Sequence, residues 1–192
     1  MTNRFYVFAL LFTLKSVSQI PIPEKLTDLD RYHIAEQEYG TVRSNRLLLL
    51  VSNEIVKTYT GKSVMIVFPD DFYSERLDLK YAVGYILNNS SEAVEIKMID
   101  AVVDKVKEYY FINDKWIHPN QELISVDCGN SYYSGRIDPG NKLVFQINLA
   151  NMTYGNIKTK YKIGIEIDGT EIFSNEIVVN LHENQIKNLA GN

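Results

Sequence analysis

This chain is poor in the residues that usually announce chemistry. Its 192 residues hold one cysteine, Cys128, so no internal disulfide can form and the fold must be held by its core. The histidines, His33, His118 and His182, are scattered, with no second histidine or acid at H-E-x-x-H spacing, and there is no C-x-x-C pair. That excludes the common zinc patterns and leaves no cofactor implied. No apolar stretch approaches the roughly 20 residues needed to cross a bilayer, so no transmembrane span is expected. A net charge of −4 gives no electrostatic reason to expect nucleic acid or an anionic membrane as partner. What is present is an ordinary globular composition, 45% hydrophobic, 11% aromatic and 23% charged, which excludes a disordered chain.

The N-terminus has a processing pattern. Met1-Thr2-Asn3-Arg4 places one positive charge before the apolar run from Phe5 to Leu14, and small Ser16 and Ser18 stand in the third-last and last places before Gln19. This predicts a signal peptide over residues 1–18, cleavage before Gln19, and an exported protein, periplasmic or extracellular. Cys128 lies far from this segment, which excludes a lipid-anchored N-terminal cysteine.

From Leu79 to Leu181 the chain reads as a succession of strands. Tyr81, Val83, Tyr85 and Leu87 alternate with Ala82 and Gly84, and Val94, Ile96 and Met98 alternate with Glu95 and Lys97. Separated by Asn88-Asn89-Ser90-Ser91, they predict a hairpin with its core face on the first-named residues. Val106–Ile112 and Lys115–Ile117 flank Asn113-Asp114 as a second hairpin. Leu143, Phe145, Ile147 and Leu149 form one apolar face; Tyr161, Ile163, Ile165 and Ile167 form another, ending at the tight-turn pair Asp168-Gly169; Ile177, Val179 and Leu181 close the set. Short strands at 8–12-residue spacing predict an all-β fold, an immunoglobulin-like or fibronectin-like antiparallel β-sandwich over residues 79–181.

Upstream, residues 19–78 read as an N-terminal extension packed on the sandwich. Lys62–Phe68 is a strand ending at Pro69-Asp70-Asp71. Residues 44–60 admit either strands around Arg46–Val51 or a helix with Leu47, Leu48, Val51, Ile55 and Tyr59 near one face; the β character downstream favours strands. Residues 182–192 read as a C-terminal tail.

Trp116, Cys128-Gly129-Asn130-Ser131-Tyr132, Asp138-Pro139-Gly140, Lys158-Thr159-Lys160-Tyr161 and Phe173-Ser174-Asn175-Glu176 together resemble a group of uncharacterised exported bacterial proteins. The resemblance covers the C-terminal half and implies a β-sandwich. It implies no activity.

Catalytic patterns are weak. Gly129-Asn130-Ser131-Tyr132-Tyr133 approaches the G-x-S-x-G elbow, but Tyr133 occupies the second glycine's place and no parallel α/β pattern surrounds it. Asp70, Asp71, Glu75 and Asp78 gather carboxylates without the spacing of a calcium loop, and read first as a solvated acidic loop. No acid, base and nucleophile converge, so an enzyme is not expected.

Binding candidates are better marked. Lys158, Lys160 and Lys162 share one face of a strand; they read as an outward or edge-guarding stripe, or as a docking stripe for an acidic partner. Tyr110, Trp116, Tyr132 and Tyr133 offer rings suited to interfaces or to stacking on sugars. The expected function is an exported non-catalytic module for protein–protein interaction or envelope assembly. The alternatives are a carbohydrate-binding module using those rings, and an inhibitor or immunity protein of an exported enzyme. The expected partner is another protein, or a glycan on the second reading.

Overall fold

The structure is a computed structural model that describes residues 19–20, 25–40, 48–50, 63–76, 79–99, 102–104, 106–119 and 132–191. The segment expected to be a signal peptide, 1–18, the stretch Cys128-Gly129-Asn130-Ser131, and most of 44–60 lie outside the described residues.

The fold is an all-β sandwich with short helices at one end. One layer is built on β4 (Leu79–Asn88). It pairs on one side with β2 (Val64–Val67) and β3 (Tyr73–Arg76), and on the other with β10 (Lys142–Asn148). β1 (Leu48–Leu50) adds beyond β10, so this part of the ambiguous segment is strand. The second layer is built on β11 (Ile157–Ile167). It pairs on one side with β12 (Thr170–Phe173) and β13 (Ile177–Leu181), and on the other with β7 (Lys107–Ile112), which carries β8 (Lys115–Ile117).

The edges are joined on both sides. β5 (Val94–Ile99) runs alongside β9 (Tyr132–Ile137), meets β6 (Val102–Val103), and touches β11 at Ile96–Ile167. β6 in turn meets β1 at Leu48–Val102. On the opposite side Ile66 bridges Ser174, and Asn175 clasps the Phe68 backbone with two hydrogen bonds, accepting from its N–H at 2.7 Å and donating to its carbonyl at 2.8 Å.

Turn chemistry predicts the local hairpins correctly. Asn113 and Asp114 take φ of 50° and 60°, and Asp168 and Gly169 take 49° and 75°, the positive values a type I′ turn needs. Two expectations fail. β4 and β5 do not pair; β5 lies among β6, β9 and β11 instead. The reason is Asn88, which is buried and donates to the carbonyls of Glu92 (2.7 Å) and Ile137 (2.9 Å), turning the intervening segment into an arch. Most of β4 is also inverted, with Leu87 the one residue of the expected core face that is buried. Ala82, Gly84 and Ile86 point into the core while Tyr81, Val83 and Tyr85 are half-exposed. The Phe145 ring on the neighbouring strand explains this: a Cβ on Gly84 would lie 2.2 Å from its Cζ, so the small residues make room for a large one.

The extension and tail are structural. α1 (Asp28–Glu38) begins at a capping box, with the Thr27 N–H donating to Asp30 Oδ2 at 2.7 Å and the Asp30 N–H donating to Thr27 Oγ1 at 3.2 Å. The C-terminal residues form α2 (Glu183–Ala190). With the single turn of 3₁₀ helix over Ala150–Met152, these helices cover one end of the sandwich.

Candidate binding face

β11 alternates strictly. Thr159, Tyr161, Ile163 and Ile165 face the core, and the lysines face out. β11 is flanked by strands on both sides, so the lysine stripe does not guard an edge. Beside it, the outward residues of β7, β8 and β12 include a cluster of rings. Lys162 Nζ stands 4.2 Å from the centre of Trp116, 4.6 Å from Phe173 and 5.9 Å from Tyr109. Lys160 Nζ stands 5.5 Å from Phe111, which packs on Trp116 at 5.3 Å. Tyr109 packs edge-on against Phe173 at 5.4 Å and lies 5.3 Å from the His118 ring.

Acidic groups frame this cluster. Glu176 takes Lys160 at 2.9 Å; Glu171 takes Lys107 at 3.3 Å and the Tyr109 hydroxyl at 2.9 Å. Burial and the Glu171 carboxylate push the Tyr109 phenol up to about 12. Lys162 has no carboxylate within ion-pair distance among the described residues, only rings. An exposed ammonium over a ring gains about 0.5–1 kcal/mol, and keeps its capacity to meet an incoming anion.

The predicted site residues therefore separate. Trp116, Lys160 and Lys162 converge on one outward surface; Lys158 lies on the same strand face and donates to Gln19 at 2.9 Å. Tyr110 is fully buried, against Tyr161 at 5.3 Å, and offers no ring to a ligand. On a strand with core on one side, its neighbours Tyr109 and Phe111 are the outward pair. Tyr132 and Tyr133 are exposed on strand β9, and no ring or ion contact ties them to the lysine face among the described residues. Phe173 and His118 belong to the surface and were not expected there.

A second polar constellation lies at the capped end, with a buried lysine and carboxylate at its centre and Glu75 at its solvent side. Lys80 and Asp30 are each 1% exposed, with Lys80 Nζ 2.6 Å from Asp30 Oδ1. Glu75 Oε1 lies 3.4 Å from the same Nζ, the Tyr154 hydroxyl donates to Asp30 Oδ1, and the Tyr154 ring lies 5.3 Å from Nζ. Burial works to raise the Asp30 pKa, and the hydrogen bonds from Lys80 and Thr27 outweigh it, leaving the carboxyl below the ordinary value. Glu75, read in the sequence as part of an acidic loop, faces this lysine. Nearby, fully buried Gln37 donates to the Asn151 and Asn180 carbonyls (2.8 and 3.3 Å) and accepts from the Tyr154 N–H at 3.1 Å, stitching α1 to the sandwich. Lys80 shares the parity of Ala82, Gly84 and Ile86, which is the signal that could have placed it inside.

A third buried group sits in the core. Glu108, 3% exposed, accepts from the Tyr161 hydroxyl at 2.7 Å. Burial and this carboxylate push the Tyr110 and Tyr161 phenols well above their usual range. No group of histidine, cysteine or carboxylate side chains suited to a metal ion occurs among the described residues, and no helix among them is long and apolar enough to cross a membrane.

The class these features define is an all-β sandwich with one ring-and-lysine outer face. No protein-family model, curated protein or solved structure matches the chain.

Proposed function

We propose that this protein is an exported, non-catalytic binding module that docks a protein partner through the outer face of β11, β7, β8 and β12. The observation that carries the reading is Lys162, held over Trp116 and Phe173 with no carboxylate in ion-pair reach among the described residues, on a central strand whose other face is core. Trp and Tyr are over-represented at interface hot spots, and a partner carboxylate could complete an ion pair with Lys162 in a setting partly shielded by rings. The partner surface is therefore acidic with apolar neighbours, a role in protein–protein interaction or envelope assembly.

The same lysine weighs against a sugar-stacking site. It lies over the Trp116 ring, where a neutral sugar would need a bare face. Trp116 is the only tryptophan, so its fluorescence reports on this surface alone. Titration with soluble neutral glycans should leave it unchanged, whereas a protein retained from the producing cell's envelope should shift it. A saturable glycan-induced shift with no protein response would replace this reading with the carbohydrate-binding one.

A further inference from the structure

We propose that Lys80 and Asp30 become joined by a covalent amide bond that ties helix α1 to strand β4. The two side chains are both 1% exposed and touch at 2.6 Å, so the reacting groups are already held together away from solvent. A buried ion pair repays its desolvation poorly, and condensation removes both charges at once. Three further groups occupy the places the reaction needs. The Thr27 N–H donates to Asp30 Oδ2 at 2.7 Å, where the oxyanion would form. The Tyr154 hydroxyl donates to Oδ1, the oxygen that would leave. Glu75 Oε1, 3.4 Å from Nζ, stands where a proton carrier must be.

The step balances without any co-reactant. A proton passes from the Lys80 ammonium to Asp30 Oδ1, giving a neutral amine and a neutral carboxylic acid, the forms that burial favours. The amine lone pair attacks Cγ, forming the C–N bond, and Oδ2 takes the negative charge facing the Thr27 N–H. A second nitrogen proton travels by Glu75 to Oδ1, the Cγ–Oδ1 bond breaks, water departs, and Oδ2 returns to a carbonyl. The third nitrogen proton stays on the amide. The ion pair is the resting form of the unreacted side chains, and the reaction drains its neutral minority as the released water leaves past Glu75, whose side chain is 41% exposed. In a chain without a disulfide, such a link would fasten the N-terminal extension to the sandwich.

The test is mass spectrometry of the purified protein, intact under denaturing conditions and after proteolysis. The expected result is a mass short by one water and a branched peptide joining the Asp30 stretch to the Lys80 stretch. Glu75→Gln, checked as folded by circular dichroism, should regain the full mass and yield two linear peptides. Linear peptides carrying intact Asp30 and Lys80 in the wild type would overturn the proposal, as would a water loss mapped to Asp168-Gly169 as a succinimide. A branched peptide persisting in Glu75→Gln would overturn the assignment of Glu75 as proton carrier.

Discussion

The outer face of β11 and the capped end of the sandwich hold similar residue types in opposite circumstances. At the capped end Lys80 is enclosed, met by Asp30, Glu75 and Tyr154, while on β11 Lys162 is met by rings and solvent. The first lysine is satisfied within the protein, so its energetic role is structural; removing it strands a buried carboxylate. The second meets rings and, among the described residues, no carboxylate, so little of the fold is expected to depend on it. A lysine's contribution to folding or to recognition is set by what surrounds it, and the two surroundings here predict different outcomes for the same substitution.

The largest effect is expected from Lys80→Ala, which leaves Asp30 buried and unpaired. Breaking such a pair costs about 3–5 kcal/mol, read as a lower urea midpoint, and an unchanged midpoint would dissolve the contrast with Lys162. Next is Gln37→Leu, which strips the acceptor from the Tyr154 N–H and a donor from two carbonyls. A loss of about 1–3 kcal/mol should appear, together with faster amide exchange in α1. Tyr161→Phe removes one donor to Glu108 and should cost about 1–2 kcal/mol in the same urea assay.

Alkaline titration sharpens the same point. The Tyr110 and Tyr161 phenols have raised folded values, so their stabilising contribution is complete below the unfolded pKa of about 10 and is lost as pH rises toward the folded values. Tyrosinate absorbance should therefore show a late fraction that ionises together with loss of circular dichroism. Smallest in stability is Lys162→Ala, expected within about 1 kcal/mol of the wild type. Its effect on partner affinity should exceed its effect on folding, and the reverse order would mark the lysine as structural.

The sequence made most of the fold legible where periodicity and turn chemistry act over short range. The faces of β10, β11 and β13 and the turns at Asn113-Asp114 and Asp168-Gly169 follow directly. It misled where a distant strand decides. Ala82 and Gly84 look like an outer face until Phe145 is placed across from them, and the segment after Asn88 looks like a hairpin until that buried amide is seen bonding to Ile137 on another strand. The site was half legible. The parity of Lys158, Lys160 and Lys162 was correct, and Trp116 belonged with them, but Tyr110 went to the core because only the pairing of β7 with β11 fixes which ring turns outward. Lys80 was hidden because a charged residue beside small ones reads as surface.

The most direct test compares three forms of the chain from Gln19 to Asn192, each shown to be folded, as bait for the envelope proteins of the producing cell: wild type, the charge reversal Lys160→Glu with Lys162→Glu, and the pair Tyr132→Ala with Tyr133→Ala. The account predicts a stoichiometric protein retained by the wild type and by the tyrosine pair, and released by the charge reversal. Retention undiminished by the charge reversal, or no protein retained by the wild type, would contradict it.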